Sequence, residues 1–394
     1  MLQREGWQMK AIAAAAIVFD IAVLGYFKYK GFFFGIKGGF LPLGISFFTF
    51  TMVAFVVDTL NTKKKKQQPV GFFDFANFVA FFPNIVAGPI ERKSTLYNQL
   101  SKFNFKFSAE NLELGLRWLA LGLFMKFALA DNITPFINYE ETANAWMVWF
   151  SAYLFTLRIY FDFAGYSFMA VGIAKAFGVK LTINFLAPYT ATSIQEFWRR
   201  WHISLNNWFR DYVFIPLMGS KKEWAEFYLF VTFTLSGLWH GAAWNFVIWG
   251  AYHGLLLLIL RYTSRSSGFL GKRLVVPEFL SWAITFGCVV FGCLFFMETN
   301  FPRLGQKLLT LVTPWAYSLP NIGNVFSSFT VNELIALGFT LVLANAVLFL
   351  EHLAIWQKRE AYDLLLSPWV GRVLLALTLL LAANTPSPFI YTSF

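Results

Sequence analysis

The stretch FLSWAITFGCVVFGCLFFM, from Phe279 to Met297, contains no charged side chain. A helix that crosses a bilayer needs about 20 mostly apolar residues, so this run alone is nearly long enough to span a membrane. The rest of the chain is similar: of its 394 residues, 57% are hydrophobic and 13% are charged. Soluble domains carry roughly 25% charged residues. The sequence therefore predicts an all-α integral membrane protein.

Further apolar runs precede and follow this stretch, and several of them are interrupted. They are Ala11–Phe27, Leu43–Val57, Leu116–Ala130, Ala145–Leu157, Phe227–Trp239, Ala242–Leu260, Leu334–Leu350 and Val373–Ala383. We predict about nine to eleven membrane helices in total. The first run contains Asp20 and is too long for a cleaved signal peptide, so we expect it to be a retained helix.

The formal charge of +11 does not indicate a nucleic-acid partner, because the sequence shows no soluble segment that would present a basic surface. Lysines beside membrane helices are typical of cytoplasmic loops. Lys63–Lys66 directly follow an apolar run, and we place them in the cytoplasm. Lys221 and Lys222, together with nearby arginines, form a second basic region that we expect on the same side.

Two segments have the features of membrane-inserted pieces that do not span. Phe72–Lys93 is apolar but contains two prolines and a glycine, and irregular backbone at membrane depth must be covered by protein or line a cavity. Ser193–Leu217 contains FWRRWHISLNNWFRD, in which arginines alternate with aromatic residues; a re-entrant or interfacial helix and a plain amphipathic surface helix both fit it. Ser193 followed by Glu196 predicts a capping box and a helix start.

Three histidines lie close together in apolar sequence: His202, His240 and His253. An ionisable side chain within a membrane segment is a functional hypothesis by default. His240 lies between Gly237 and Gly241, which permit close approach of a backbone or substrate, and histidine suits general-base catalysis. For His253, a hydrogen bond between helices explains the residue equally well. No histidine pair has the spacing of four that a local metal site needs, so we predict no metal.

Other polar positions leave two interpretations open. Arg158 and Asp162 share a helix face, and either the charged pair joins two helices or Asp162 or Tyr166 orients a catalytic group. Cys288 and Cys293 lie in one apolar run, where we expect buried thiols and not a disulfide.

At these residues the sequence resembles the membrane-bound O-acyltransferases (MBOAT), in their bacterial alginate O-acetylase-like branch. Peptidoglycan O-acetyltransferase membrane subunits are similar too, and the teichoic acid D-alanyl transferase is more distantly so. The motifs occur in the family's order: GYFKY (Gly25–Tyr29), LPLGISFFTF (Leu41–Phe50), FPNIVAGPIER (Phe82–Arg92), YFDFAGYSFMAVG (Tyr160–Gly172), NFLAPY (Asn184–Tyr189), IQEFWRRWHISLNNWFRDYVFIPL (Ile194–Leu217), GLWHGAAWNFVIWGAYHG (Gly237–Gly254) and FIYTSF (Phe389–Phe394).

The resemblance implies a ring of membrane helices with re-entrant segments, and funnels from both faces that meet at a buried histidine. Residues 1–385 would form this single domain, and 386–394 a C-terminal tail. The resemblance makes His240 the catalytic histidine and His202 the second characteristic one. Residues expected to bind substrate or wall the donor entrance are Trp198, Arg199, Arg200, Trp201, Arg210, Trp239, Asp162 and Tyr166.

The implied activity is transfer of an acetyl group from a cytoplasmic donor, acetyl-CoA, across a bacterial inner membrane, without a bound cofactor. The acceptor would be an exported polysaccharide such as alginate, cellulose or peptidoglycan glycan, and a periplasmic or extracellular acetyltransferase would be the partner. Membrane lipid would surround the chain. Two other interpretations are a transporter of an acylated carrier or lipid, and a structural subunit of a polysaccharide-export complex.

The sequence departs from the family pattern at three places. Family members usually have further helices before GYFKY, so this is either a truncated start or a short form. Phe296 occupies the position of a usual arginine. The tail motif FIYTSF differs from the commoner FIYFQF at Thr392 and Ser393 but keeps Tyr391. That tyrosine is either an interfacial anchor or, by the resemblance, an acyl relay.

Overall fold

The computed structural model describes residues 6–36, 42–61, 70–85, 88–266, 276–383 and 387–389, and within these ranges the secondary structure is helical, with no strand. The α-helices of the first half are α1 (Gly6–Leu24), α2 (Lys30–Phe34), α3 (Ile45–Asn61), α4 (Phe72–Val79), α5 (Asn98–Leu100), α6 (Ala109–Leu123), α7 (Asp131–Ile133), α8 (Ala145–Ala176) and α9 (Ile194–Arg200). Those of the second half are α10 (Ile203–Phe209), α11 (Ile215–Met218), α12 (Ala225–His240), α13 (Trp244–Ser266), α14 (Glu278–Met297), α15 (Phe301–Leu311), α16 (Leu319–Ser327), α17 (Val331–Trp356) and α18 (Pro368–Leu381). Wider, π-helical turns occur at Gly25–Tyr29, Lys93–Tyr97, Phe124–Ala130 and Arg210–Phe214.

Several helices have the length and composition of membrane spans. Among the described residues, four are long and apolar enough to cross a bilayer: Gly6–Phe34, Trp244–Thr263, Glu278–Met297 and Val331–Trp356. Two shorter apolar helices are Ile45–Leu60 and Pro368–Leu381. The all-helical class is confirmed, whereas the number of nine to eleven membrane helices stays a prediction.

Helix α8 lies at the centre of the core, and most of its 32 residues are buried. It packs closely on α6 through glycines on both helices. A Cβ added to Gly115 would lie 2.6 Å from the Gly172 carbonyl oxygen, and one added to Gly122 would lie 2.6 Å from that of Gly165. Small residues are typical of helix contacts in membranes because they let backbones approach. This contact fixes the position of α8 along α6, and with it the positions of the polar side chains on α8.

Helices α12 and α13 form a second close pair. A Cβ on Gly237 would lie 2.1 Å from the Phe246 carbonyl oxygen, and one on Gly250 would lie 2.3 Å from that of Phe233. The prediction that the glycine beside His240 permits close backbone approach is therefore confirmed, and the approaching backbone is α13. This packing places His240, the last residue of α12, beside the first turns of α13.

The two irregular segments are broken as their sequences suggest. In the first, α4 ends at Val79, a short 3₁₀ turn follows at Phe82–Asn84, and residues 88–92 have no regular secondary structure. In the second, α9 begins after Ser193, whose hydroxyl accepts from the Glu196 amide at 3.2 Å. The predicted helix start is confirmed. The predicted capping box is only half formed, because the Glu196 carboxylate accepts from the amide of Thr192, one residue before Ser193, at 2.8 Å.

Both cysteines are free thiols on α14. The prediction of a buried thiol is confirmed for Cys293, whereas Cys288 is only partly buried.

Candidate active site

His202 and His240 lie next to each other inside the protein. Their ring centroids are 6.4 Å apart, although they are 38 positions apart in the chain. Both are buried, with 1% and 3% of their surfaces exposed. Trp239 is in contact with both rings, at 6.0 Å from His202 and 5.0 Å from His240. The structure thus brings together the two histidines that the sequence analysis ranked first.

A break in the helix presents His202. Between α9 and α10 the chain leaves helical geometry, and His202 adopts a left-handed conformation with φ of 44°. A non-glycine residue with positive φ is uncommon and is kept only where the surroundings hold it. Asn206 donates to the carbonyls of Trp198 and Trp201 at 2.7 and 2.6 Å. The Asn184 side chain accepts from the Ser204 amide at 3.1 Å.

These two asparagines were not selected from the sequence, although both lie in quoted motifs. The signal that would have found them is an amide side chain in otherwise apolar sequence, because such a group must find backbone partners when it is buried. Asn184 and Asn206 both bind backbone at the break. They hold the unusual backbone on which His202 depends.

His240 lies in an aromatic box. The rings of Trp249 and Phe296 meet its imidazole edge-on at 4.9 and 5.2 Å. His253, on α13, also contacts Trp249, with ring centroids 5.0 Å apart. A small cavity of about 20 Å³ touches both His240 and His253. It is lined by Ile159, Tyr189, Phe197, Trp201, His240, Trp249, His253, Val289, Cys293 and Phe296. This volume gives room for about one water molecule next to the imidazole.

A much larger cavity of about 730 Å³ opens between α9–α10 and α12–α13. Its lining includes the polar side chains of Gln195, Arg199, Asn206, Asn207, Arg210 and Arg261. It also includes the apolar side chains of Leu229, Phe233, Leu257 and Leu260. Ser236, one turn before His240 on α12, also lines it, so this cavity approaches the histidine from the α12 side.

The predicted binding arginines fall into two groups. Arg199 is exposed and lines the large cavity, as Arg210 does. Arg210 is paired with Asp211 at 2.7 Å, and Asp211 also binds Arg92 at 2.8 Å. Arg200 points elsewhere: its guanidinium binds Glu196 and the Thr190 hydroxyl, both at 2.5 Å. These contacts give Arg200 a part in holding α9.

Trp198 and Trp201 belong to different cavities. Trp198 lines the large cavity and meets Trp249 at 5.6 Å and His253 at 5.0 Å. Trp201 lines the small one. The two predicted tryptophans therefore each line one of the two cavities near the histidines.

Asp162 belongs to a buried ion cluster. It pairs with Lys126 at 2.6 Å, and Lys126 also pairs with Asp131 at 2.8 Å. At most 5% of any of these three side chains is exposed. Arg158, its neighbour on the helix face, donates instead to the Tyr139 hydroxyl at 2.7 Å. Lys126 and Asp131 were missed, although charged residues in an apolar run are themselves a signal.

The described part of the tail meets this cluster. The Ser387 hydroxyl donates to Asp131 at 2.5 Å, and its carbonyl accepts from Lys126 at 2.9 Å. Phe389 packs on Tyr166 with ring centroids 4.5 Å apart. Tyr391 lies outside the described residues. The contact of Tyr166 is therefore with the tail, and its role toward substrate stays a prediction.

Fold and site together define an all-helical integral membrane protein with a buried pair of histidines. A model of the membrane-bound O-acyltransferase (MBOAT) family matches residues 16–301. The chain belongs to this family.

Three curated relatives show the breadth of the match. The peptidoglycan O-acetyltransferase of Helicobacter pylori is 34% identical, over 79% of this chain and 67% of the relative. The probable alginate O-acetylase AlgI of Pseudomonas aeruginosa is 35% identical, over 78% of this chain and 62% of the relative. The teichoic acid D-alanyltransferase of Bacillus subtilis is 32% identical, over 66% of this chain and 69% of the relative. The chain thus spans roughly three fifths to two thirds of the length of these relatives.

Proposed function

We propose that this protein is an O-acetyltransferase of a bacterial inner membrane. It takes an acetyl group from a thioester donor on the cytoplasmic side and passes it to hydroxyl groups of an exported cell-envelope polysaccharide. The observation that carries the proposal is the position of His240. It lines a small cavity and ends the helix whose preceding turn, at Ser236, lines a large one.

In the proposed reaction His240 is the general base. It accepts the proton of the attacking hydroxyl while the oxygen bonds to the thioester carbonyl carbon, and the carbon–sulfur bond then breaks. The proton passes to the leaving thiolate, which departs as a thiol. General-base catalysis of this kind contributes about 10²–10⁴-fold to the rate. The surrounding aromatic rings exclude water that would hydrolyse the thioester.

The large cavity suits acetyl-CoA as donor. The guanidinium groups of Arg199, Arg210 and Arg261 in its lining have the planar fork that binds phosphate oxygens. Its apolar side chains would hold the extended pantetheine arm, whose thioester end would then reach toward Ser236 and His240. The basic residues Lys221 and Lys222 would keep this opening on the cytoplasmic side.

The names of the relatives support the acceptor class. Relatives of this chain are a peptidoglycan O-acetyltransferase and a probable alginate O-acetylase, and both names specify acetylation of an envelope polymer. We propose an acceptor of that class, with a separate periplasmic or extracellular acetyltransferase as the partner that completes the transfer.

Replacement of His240 tests the proposal directly. In lipid nanodiscs supplied with labelled acetyl-CoA, His240→Ala should lower the release of free CoA by at least about 100-fold. His202→Ala should lower it by a smaller factor. The matched control is His352→Ala, an exposed position on α17, which should keep full activity. Normal CoA release by His240→Ala would contradict the catalytic assignment, and absence of CoA release by the unaltered protein would favour a transporter.

We further propose that Tyr391 is an acyl relay. Its oxygen would take the acetyl group as an aryl ester, with release of the thiol, and would later yield it to a sugar hydroxyl, which restores the phenol. Support comes from the residues before it: Phe389 lies 6.0 Å from Phe163, which contacts His202 at 4.6 Å. The described tail thus reaches the aromatic shell of the histidine pair.

Tyr391→Phe separates the relay from an anchor. The variant keeps the ring, which is what an interfacial anchor needs, and removes the oxygen that a relay needs. A relay predicts that Tyr391→Phe no longer supports polymer acetylation in cells. It also predicts an acetyl adduct on the C-terminal peptide of the parent protein in mass spectra, and no such adduct in the variant. Full acetylation by Tyr391→Phe, together with an unmodified C-terminal peptide in the parent protein, would contradict the relay and favour the interfacial anchor.

A further inference from the structure

Helix α12 ends at His240, directly at the candidate active site. The last four carbonyls of any helix lack partners within the helix and must find them elsewhere. An end without such partners frays. Any movement of this end would move the imidazole, because His240 is its last helical residue. What holds the end of α12 therefore matters for the reaction.

Two side chains of the GYFKY motif hold it. Lys28 donates to the Trp239 carbonyl at 2.6 Å and to the His240 carbonyl at 3.1 Å. The Tyr29 hydroxyl donates to the Leu238 carbonyl at 2.9 Å. Three consecutive carbonyls at the end of α12 thus bind a segment that lies more than 200 positions earlier in the chain.

The contact is also favourable electrostatically. The C-terminus of a helix carries partial negative charge, so an ammonium group there is stabilised. Lys28 lies over the face of the Trp239 ring at 5.6 Å, and aromatic faces attract cations. The motif itself forms a π-helical turn, and such turns are frequent at functional sites.

The ammonium group has no hydrogen left for a substrate. It carries three N–H bonds, and three acceptors lie around it: the two carbonyls and the Ser46 hydroxyl at 3.3 Å. Ser46 belongs to α3, so Lys28 joins α3 and α12 at one point. This arrangement holds the backbone of α12 and does not offer a free cation to a donor or acceptor.

We propose that Lys28 and Tyr29 are positioning residues for His240. They fix the end of α12, and with it the imidazole between Trp249 and Phe296, in the geometry that proton transfer needs. The inference rests on the proposed function, because it assumes that His240 carries the reaction. It adds a role for GYFKY that the sequence analysis did not assign.

The test compares four variants in the nanodisc assay with labelled acetyl-CoA. Lys28→Met removes the ammonium and should lower kcat by about 10–100-fold, since misplacement of about 1 Å has effects of that size. The KM for acetyl-CoA should change by less than about twofold, because no substrate contact is lost. Lys28→Arg can still donate to the same carbonyls and should recover part of kcat. Lys30→Met is the matched control: Lys30 lies over the Tyr26 ring at 4.6 Å, and its replacement should leave both constants unchanged.

Tyr29→Phe keeps the test open if Lys28→Met does not fold. It removes one hydroxyl and no charge, and it should lower kcat by about 2–10-fold at constant KM. A raised KM with unchanged kcat would overturn the inference, since it would make the pair a substrate site. The inference would also be overturned if Lys28→Met and Tyr29→Phe had the same kcat as the Lys30→Met control while His240→Ala was inactive. Normal activity of His240→Ala would instead refute the proposed function itself.

Discussion

Lys28 and Lys126 occupy similar local structures but have different partners. Each lies in a π-helical turn, and each ammonium group is turned into the protein. Lys28 is held by two carbonyls and a hydroxyl, all of them uncharged. Lys126 is held by the carboxylates of Asp131 and Asp162 and by one carbonyl.

The partners of the two lysines indicate different roles. Lys28 orders the backbone at the end of a helix, whereas Lys126 neutralises two carboxylates. Removal of Lys28 would leave carbonyls, which are dipoles, without a donor. Removal of Lys126 would leave two carboxylates in a site with almost no access to water, and breaking a buried ion pair in this way costs about 3–5 kcal/mol. We therefore expect the Lys28 region to govern activity and the Lys126 region to govern stability.

Lys126→Met should have the largest effect on stability. We expect a loss of about 3–5 kcal/mol, because two carboxylates lose their counter-ion while buried. The measurement is the unfolding transition of the purified protein in detergent, followed by circular dichroism against denaturant. Activity should fall only in proportion to the folded fraction.

A double variant sharpens this prediction. Adding Asp162→Asn to Lys126→Met removes one of the stranded charges, so the pair should be less destabilised than the sum of the two single variants. Additive losses would show that Lys126 and Asp162 do not act as a pair. A raised KM for acetyl-CoA in folded Asp162→Asn would instead support the sequence-based prediction that Asp162 binds substrate.

Sequence patterns predicted the parts of the molecule that depend on local order. The helical class, the helix start at Ser193 and the close approach at Gly237 follow from composition, capping and residue size. The family motifs singled out His202 and His240, but the proximity of their rings comes from the fold. Helical spacing put Arg158 and Asp162 on one face, but spacing does not reveal what a neighbouring helix presents to that face.

The contacts of the two lysines could not be derived in this way. Lys28 and Trp239 are separated by 211 positions, and Lys126 and Ser387 by 261. No local pattern relates residues so far apart, since their meeting depends on how the helices pack. A charged residue in an apolar run signals that some partner exists. The identity of that partner comes from the fold.

Ser387→Ala should have the smallest effect, and it tests how the tail is joined to the Lys126 cluster. The variant removes the hydroxyl that donates to Asp131 but leaves the carbonyl that accepts from Lys126. The loss of one hydrogen bond of this kind is worth about 1 kcal/mol. Because the helices around the cluster are untouched, this loss should loosen the tail and not the whole protein. Hydrogen exchange of the C-terminal peptide, followed by mass spectrometry, should become faster while the unfolding transition stays unchanged.

Phe389→Leu provides the comparison, since it weakens the packing on Tyr166 and leaves the hydroxyl in place. If exchange rises only in Phe389→Leu, the tail is held by aromatic packing. If Ser387→Ala lowers the unfolding transition as far as Lys126→Met does, the hydroxyl is an integral part of the ion cluster and the division between local and global effects is wrong.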